Sequence, residues 1–202
     1  EQGYRDPLGN RNLDRGISPD SSPFRLTAGF TYAFPFGRGK KWLQRGIADA
    51  VIGGWELNGI ATYQAGFPLT PGVNIDTCAC GNNLNVPNVV RNPNLDMSER
   101  TTERWFDVQA FTIPSLYTIG NAGRGLIWGP GLKNLDLVVG KRFFIPQLGE
   151  ATNLEFRGEM YNVTNSPYFN NPNVTIGSAT VGRITSVSNA PRQLQLALKL
   201  IF

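Results

Sequence analysis

The chain ends in a stretch, 193–202, in which polar and apolar side chains alternate, and this pattern limits the possible folds more than any other feature. Leucine occupies every second position before the terminal aromatic residue: Leu194, Leu196, Leu198 and Leu200, followed by Phe202. An α-helix turns by about 100° per residue and would scatter these leucines, whereas a β-strand collects them on one face. Leu, Gln, Ala and Lys individually favour helices, but the alternation predicts a strand near 192–202.

The same alternation recurs upstream. It predicts four further strands, near 24–34, 53–64, 134–143 and 153–163. Each has one mainly apolar face and one mainly polar face, and Lys141 interrupts the apolar face of its strand. The 23 glycines and 14 prolines indicate many turns between short extended segments. The predicted fold class is therefore all-β, with about five antiparallel strands.

Strand length favours a membrane over water as the medium of the apolar faces. The predicted strands have about 9 to 12 residues, close to what a tilted strand needs to cross a bilayer, whereas strands of globular proteins average about five or six. Aromatic residues cluster near the strand ends, and the connections alternate in length, with a long one at 67–132. These features predict a segment of an up-and-down transmembrane β-barrel. A soluble carbohydrate-binding β-sandwich remains the alternative.

The composition excludes most enzyme classes. The chain has no histidine, which removes Ser-His-Asp and Cys-His catalysis and His-ligated zinc. Its two cysteines, Cys78 and Cys80, cannot form a four-thiolate metal site; a bridge between them would be strained, so each could instead pair with a cysteine outside this sequence. The net charge is only +4, and Gly37–Lys41 has the form of a solvated basic turn. We expect no catalytic residue, metal, cofactor or nucleic-acid partner.

Four sequence blocks resemble the C-terminal part of a TonB-dependent outer-membrane receptor of the Oar-like type, which carries a carboxypeptidase-regulatory-like N-terminal domain. The blocks are Phe24–Lys40, Gly53–Pro68, Arg104–Asp136 and Phe156–Pro167, followed by Pro191–Gln193 and Phe202. Their order and spacing carry the resemblance, which covers nearly the whole chain. Met160 departs from it, because family members have an aromatic residue there, and the Cys78-Ala79-Cys80 insert is not a family feature.

The resemblance implies energy-coupled uptake of a bulky nutrient across the outer membrane, driven by the TonB complex through an N-terminal part that this sequence lacks. Phe202 resembles the terminal aromatic signal that the barrel-assembly machinery reads. With Phe202 at the periplasmic rim, the leucines 194, 196, 198 and 200 face outer-membrane lipid and the loop 67–132 is extracellular.

The polar strand faces would then line the lumen. The candidates for contact with a transported substrate are Glu56, Asn58, Gln64, Glu155, Arg157 and Glu159. Opposite charges on neighbouring strands can equally pair with one another, which would make these residues structural.

Five strands cannot close a membrane barrel, because the smallest have about eight and plugged transporters about 22. The expected partners are the remaining strands and the plug of the same receptor. Alternatively, copies of this chain could pair edge to edge and build a structural surface tube or filament.

The long loop has its own predicted structure. Asp96-Met97-Ser98-Glu99 has the form of a capping box and predicts a short helix through Arg104. The aromatic side chains of the loop are expected to form a small core: Trp105, Phe106, Phe111 and Trp128.

Overall fold

The structure is a computed structural model that describes residues 14–37, 39–43, 46–79, 85–145 and 152–202. It divides into two compact units. The sheet unit comprises the described residues of 26–63, 133–167 and 189–202, and the loop unit comprises those of 14–25, 64–132 and 168–188.

The sheet unit is built on five long strands. All strands are numbered in chain order, and the numbers missing here belong to short strands of the loop unit. The five long strands are β1 (Arg25–Ala33), β2 (Trp55–Gln64), β8 (Leu132–Phe144), β9 (Asn153–Tyr161) and β11 (Gln193–Ile201). Their order in the sheet is β1-β2-β8-β9-β11. Strand β9 pairs antiparallel with both β8 and β11. The all-β fold class with an antiparallel sheet of five strands, predicted from the alternation, is thereby confirmed.

The connection between β1 and β2 contains more than the predicted turn. Gly37 does begin a turn, in which its carbonyl accepts the N–H of Lys40 at 3.0 Å. A helix, α1 (Gly46–Ile52), follows, and the N–H of Gly53 closes its last turn on the carbonyl of Asp49. No helix in the described part of the chain is long and apolar enough to span a membrane.

The loop unit contains six short strands of two residues each, arranged as three separate pairs. Strand β3 (Pro68–Leu69) pairs with β7 (Ile127–Trp128), β5 (Asn88–Val89) with β6 (Phe111–Thr112), and β4 (Gly72–Val73) with β10 (Thr175–Ile176). The first two pairs are antiparallel and the third is parallel. Ladders this short contribute few hydrogen bonds, so side-chain packing must hold the unit together.

The loop unit has its own hydrophobic core. Phe106 and Ile127 are fully buried, and Phe111 meets Phe106 edge to face with ring centroids 6.0 Å apart. Trp105 packs against this core and donates its indole N–H to the carbonyl of Trp128 at 2.7 Å. Of the four aromatic residues predicted for this core, Trp105, Phe106 and Phe111 belong to it or pack against it, whereas Trp128 contributes its backbone carbonyl and not its ring.

The helix predicted from the capping box is wrong. Met97–Glu99 forms a turn, with the N–H of Glu99 bonded to the carbonyl of Asp96 at 3.0 Å. Thr101 and Arg104 then exchange backbone hydrogen bonds, and this tight reversal interrupts any helix. The reversal brings the N–H of Trp105 to the carbonyl of Gly182, at 2.8 Å, so tertiary pairing overrides the local helix signal.

Cys78 is disulfide-bonded. Cys80, the second cysteine of the sequence, lies outside the described residues.

Candidate functional site

A groove of about 370 Å³ lies on the polar face of the sheet and is lined by β2, β8 and β9. We call it the polar groove. Its side chains at the polar positions of the strands are Glu56, Asn58, Val138, Arg142, Glu155 and Arg157. Alternation along each strand puts these side chains on one face, and neighbouring strands bring them together. The polar groove thus unites residues that are about a hundred positions apart in the sequence.

On the β2 side of the groove, a chain of hydrogen bonds fixes two acceptors. Thr31 donates its hydroxyl to Asn58 Oδ1 at 2.7 Å, and Asn58 donates its amide to Glu56 Oε1 at 3.1 Å. Glu56 and Asn58 are among the site residues predicted from the sequence, whereas Thr31 is not. Its position on the polar face of the neighbouring predicted strand was the available signal.

On the β9 side, charged residues form pairs. Arg142 lies directly opposite Glu155 in the β8–β9 register, with 3.7 Å between Nε and Oε1. Arg157 Nε lies 2.6 Å from Glu159 Oε1, and the Tyr161 hydroxyl donates to Glu159 Oε2 at 2.6 Å. Arg142 had not been predicted as a site residue.

The groove therefore brings together four of the six predicted lumen residues: Glu56, Asn58, Glu155 and Arg157. Glu159 lies next along β9, bonded to Arg157. Gln64, the last residue of β2, belongs to the loop unit. The groove offers guanidinium donors beside carboxylate and amide acceptors, which suits reversible hydrogen bonding to a polar solute. Among the described residues, no group of three or more Cys, Asp or Glu side chains could hold a metal ion.

The opposite face of the sheet is apolar and exposed. Leu194, Leu196, Leu198 and Leu200 are 67, 65, 65 and 48% exposed, and Phe202, just beyond β11, is 95% exposed. The four leucines lie opposite Met160, Gly158, Phe156 and Leu154 of β9. In a soluble sandwich a second layer would cover such a face. Here the leucine ladder remains open along its length, as a surface in contact with lipid would be.

Lys141 is the exception on the apolar face, and the structure explains it. The residue is only 4% exposed and donates its ammonium to the carbonyls of Ala50 and Val51, at 2.7 and 2.9 Å. Its Nζ also lies 5.4 Å from the Trp55 ring centroid and 4.6 Å from that of Phe143. The end of helix α1 and two aromatic rings thus satisfy a charge that the sequence pattern marked only as an interruption.

In the loop unit, pKa values are shifted at the contacts of Arg91 and Arg100. The Arg91 guanidinium hydrogen-bonds to Asp107 Oδ2 at 2.7 Å and holds the pKa of that carboxyl below its ordinary value. Arg100 lies with its guanidinium carbon 5.5 Å from the Trp105 ring centroid, and burial lowers its pKa. Both pairs fasten surface segments to the loop core.

Comparison with known proteins agrees with the exposed apolar face. A family model described as an outer membrane beta barrel domain matches residues 1–195. No curated protein and no solved structure matches the chain. Because the family match covers nearly all of the sequence, the chain belongs to the outer membrane beta barrel domain family and resides in the outer membrane.

Proposed function

We propose that this chain forms part of the barrel wall and the extracellular loops of a TonB-dependent receptor that takes up a bulky nutrient across the outer membrane. The observation that carries the proposal is the uncovered leucine ladder of β11, which continues across β9 on one face of the sheet. Because the chain belongs to an outer-membrane barrel family, membrane lipid is the medium that we propose for that face. The proposal assigns no enzymatic reaction to the chain.

In this proposal the polar groove is part of the lumen wall. The Glu56, Asn58 and Arg157 side chains contribute donors and acceptors that a passing solute or a plug segment can meet. The ion pairs Arg142–Glu155 and Arg157–Glu159 keep the charges balanced while the lumen is empty. Gln64, at the extracellular end of β2, is a further proposed lumen residue.

The loop unit supplies the ligand-capturing surface in this proposal. Its separate core, centred on Phe106 and Ile127, gives the long loop a defined shape. A preformed loop loses less conformational entropy on binding than a flexible one, which favours affinity for the nutrient.

The test has two measurements on protein purified from outer membranes. Intact mass spectrometry is expected to find a chain much heavier than the 22.2 kDa of this sequence, with plug and energy-coupling segments upstream. That chain is then expected to bind the purified periplasmic domain of TonB. A heavy chain that shows no TonB binding would contradict energy-coupled uptake while leaving the barrel intact.

A second candidate is a structural surface assembly, and the exposed edges of the sheet favour it. Every residue of β1 is exposed, as is every residue of β11 except Ile201, so both edge strands can accept a further strand. In the receptor these edges pair with the remaining barrel strands. In an assembly they pair with further copies of the chain, and the same mass measurement would then return a chain of 22.2 kDa.

A further inference from the structure

We propose that the connection between β1 and β2 is an interfacial anchor that binds anionic phospholipid of the periplasmic leaflet. We call this connection the anchor. The structure describes its residues 39–43 and 46–52, which include helix α1. Its apolar side chains lie among the acyl chains, and its lysines lie at the phosphates. The inference rests on the proposed function in two respects, the placement of the leucine ladder against lipid and the orientation that puts the β1–β2 connection on the periplasmic side.

Helix α1 lies on the same face of the sheet as the leucine ladder. Phe156 is opposite Lys141 in the register with β8 and opposite Leu198 in the register with β11. Residues directly opposite one another project to the same face. Because the Lys141 ammonium reaches the carbonyls of Ala50 and Val51, the end of the helix is held on the lipid side.

The lysine contact removes the main obstacle to placing a helix end next to lipid. The last carbonyls of any helix lack partners within the helix, and in a medium without water an unsatisfied carbonyl is strongly unfavourable. Lys141 satisfies two of them, and the Trp55 indole donates to the Val51 carbonyl as well, at 3.0 Å. An ammonium facing lipid would otherwise be equally unfavourable.

The anchor exposes several large apolar side chains. They are Trp42, Leu43, Ile47, Val51 and Ile52, with exposed fractions of 50, 43, 84, 60 and 46%. Single exposed apolar residues are common on protein surfaces, but a contiguous group is typical of a binding surface. Because helix α1 lies on the same face of the sheet as the leucine ladder, one hydrocarbon layer can cover both.

The charge of the anchor identifies the kind of lipid. From Pro35 to Gly54 the sequence has four basic residues and one acidic residue: Arg38, Lys40, Lys41 and Arg45, against Asp49. The Lys41 ammonium lies 5.2 Å from the centroid of the Trp42 ring, a pairing suited to the headgroup level of a bilayer. Basic residues beside an exposed apolar surface favour anionic over zwitterionic headgroups.

The anchor is also preformed. The rings of Phe36 and Trp42 pack 5.8 Å apart, and the N–H of Gly37 donates to the Trp42 carbonyl at 2.9 Å. A Cβ on Gly53 would come within 2.6 Å of the Gly37 Cα, so two glycines permit this close approach. Little ordering is therefore required when the anchor meets the membrane.

The test places a fluorescent label at three positions of the intact chain, reconstituted in phosphatidylglycerol-containing vesicles. The variants are Ile47→Cys on the anchor, Leu196→Cys on the ladder and Tyr117→Cys on the loop unit, where Tyr117 is 83% exposed. Lipids brominated in their acyl chains quench a label that lies in the hydrocarbon region, and aqueous iodide quenches a label that is exposed to water. Unlabelled parent protein measures the background.

We expect the label at 47 to lose about half or more of its fluorescence to brominated lipid and to resist iodide, as does the label at 196. The label at 117 should be quenched by iodide and not by brominated lipid. Iodide quenching at 47 with bromine quenching at 196 would overturn the anchor alone, as expected if another protein covers it. Iodide quenching at both positions would overturn the lipid placement of the ladder as well.

A charge variant tests the lipid class. Lys40→Glu with Lys41→Glu is made in both the Ile47→Cys and the Leu196→Cys backgrounds. It is expected to reduce bromine quenching at 47 about twofold and to leave that at 196 unchanged. Replacing phosphatidylglycerol by phosphatidylcholine should act similarly on the labelled Ile47→Cys protein that retains both lysines. Quenching at 47 that depends on neither change would overturn the recognition of anionic lipid.

Discussion

Asp136 accepts the backbone N–H of Asn162 through Oδ1 at 2.8 Å, just where strand β9 ends. Asn162 has a positive φ of 50°, in the left-handed region that non-glycine residues seldom adopt. Its side chain bonds both ways to Ser166, accepting the N–H at 2.9 Å and donating to the carbonyl at 3.1 Å, and donates to the Ala190 carbonyl at 3.2 Å. This buried network explains why β9 stops at Tyr161.

Two substitutions of Asn162 separate its backbone role from its side-chain role. Both Asn162→Ala and Asn162→Gly remove the partner of the Ser166 N–H and of the Ala190 carbonyl, whereas the Ser166 carbonyl keeps the Asn189 amide at 3.0 Å. We expect a loss of about 2 to 3 kcal/mol in the free energy of unfolding. The alanine variant should lose about 1 kcal/mol more, because only glycine adopts the positive φ without strain. Urea titration of the reconstituted barrel, followed by tryptophan fluorescence, measures both. Equal stability of the two variants would show that the backbone conformation carries no cost.

Adjacent positions of β11 test which face meets lipid. Leu196→Arg puts a charge on the leucine ladder and is expected to destabilise the membrane-inserted protein by about 2 to 4 kcal/mol near the bilayer midplane. Gln195→Arg puts the same charge one residue away on the polar face, opposite Glu159, and should be nearly neutral. Folding into vesicles, read from the mobility of unheated samples on gels, compares the two.

The reverse result for this pair would mean that the lipid-facing and lumen-facing sides of the sheet are assigned the wrong way round. If Gln195→Arg blocked insertion while Leu196→Arg did not, the polar groove would face lipid and the proposed lumen lining would be wrong. Equal tolerance of both variants would contradict a membrane-spanning role for β11.

The long strands could be predicted from sequence because their signal is periodic and local. In β11, leucine at every second position outweighed the helix propensities of the individual residues. Alternation also indicated which residues share a face, so Glu56 and Arg157 could be placed in one lining before the strand order was known. Alternation also puts Thr31 on the polar face of β1, but its hydrogen bond to Asn58 depends on the pairing of β1 with β2.

What sequence could not supply depends on contacts between distant segments. Helix α1 has only seven residues, too few for a clear periodicity, and its end is fixed by Lys141, about ninety positions downstream. The capping-box residues beginning at Asp96 match the local pattern for a helix start. The chain instead reverses direction, which allows the backbone hydrogen bond between Trp105 and Gly182 to form. The two-residue strands of the loop unit have no period at all.

Acid should weaken the loop unit through Asp107. The Arg91 hydrogen bond lowers the pKa of this carboxyl in the folded protein. Its stabilising contribution is therefore complete above the ordinary value of 3.8 and declines as the pH falls below that value towards the lowered pKa. Pepsin cleavage of the intact chain at several acidic pH values should accelerate within the loop unit. Asp107→Asn and Arg91→Met should each cleave faster than the parent above this range and show less additional acceleration within it.

Removal of a ring from the loop core should open the loop unit and leave the sheet folded. Phe106→Ala deletes a fully buried side chain that packs on Phe111, and we expect a local loss of about 3 to 5 kcal/mol. Met97→Ala, at a position that is 81% exposed, provides the matched control and should change little. Hydrogen exchange is expected to increase across 105–112 in the first variant only, with protection of β9 retained in both. Loss of protection in β9 as well would show that the two units unfold together, which would contradict an independent loop core.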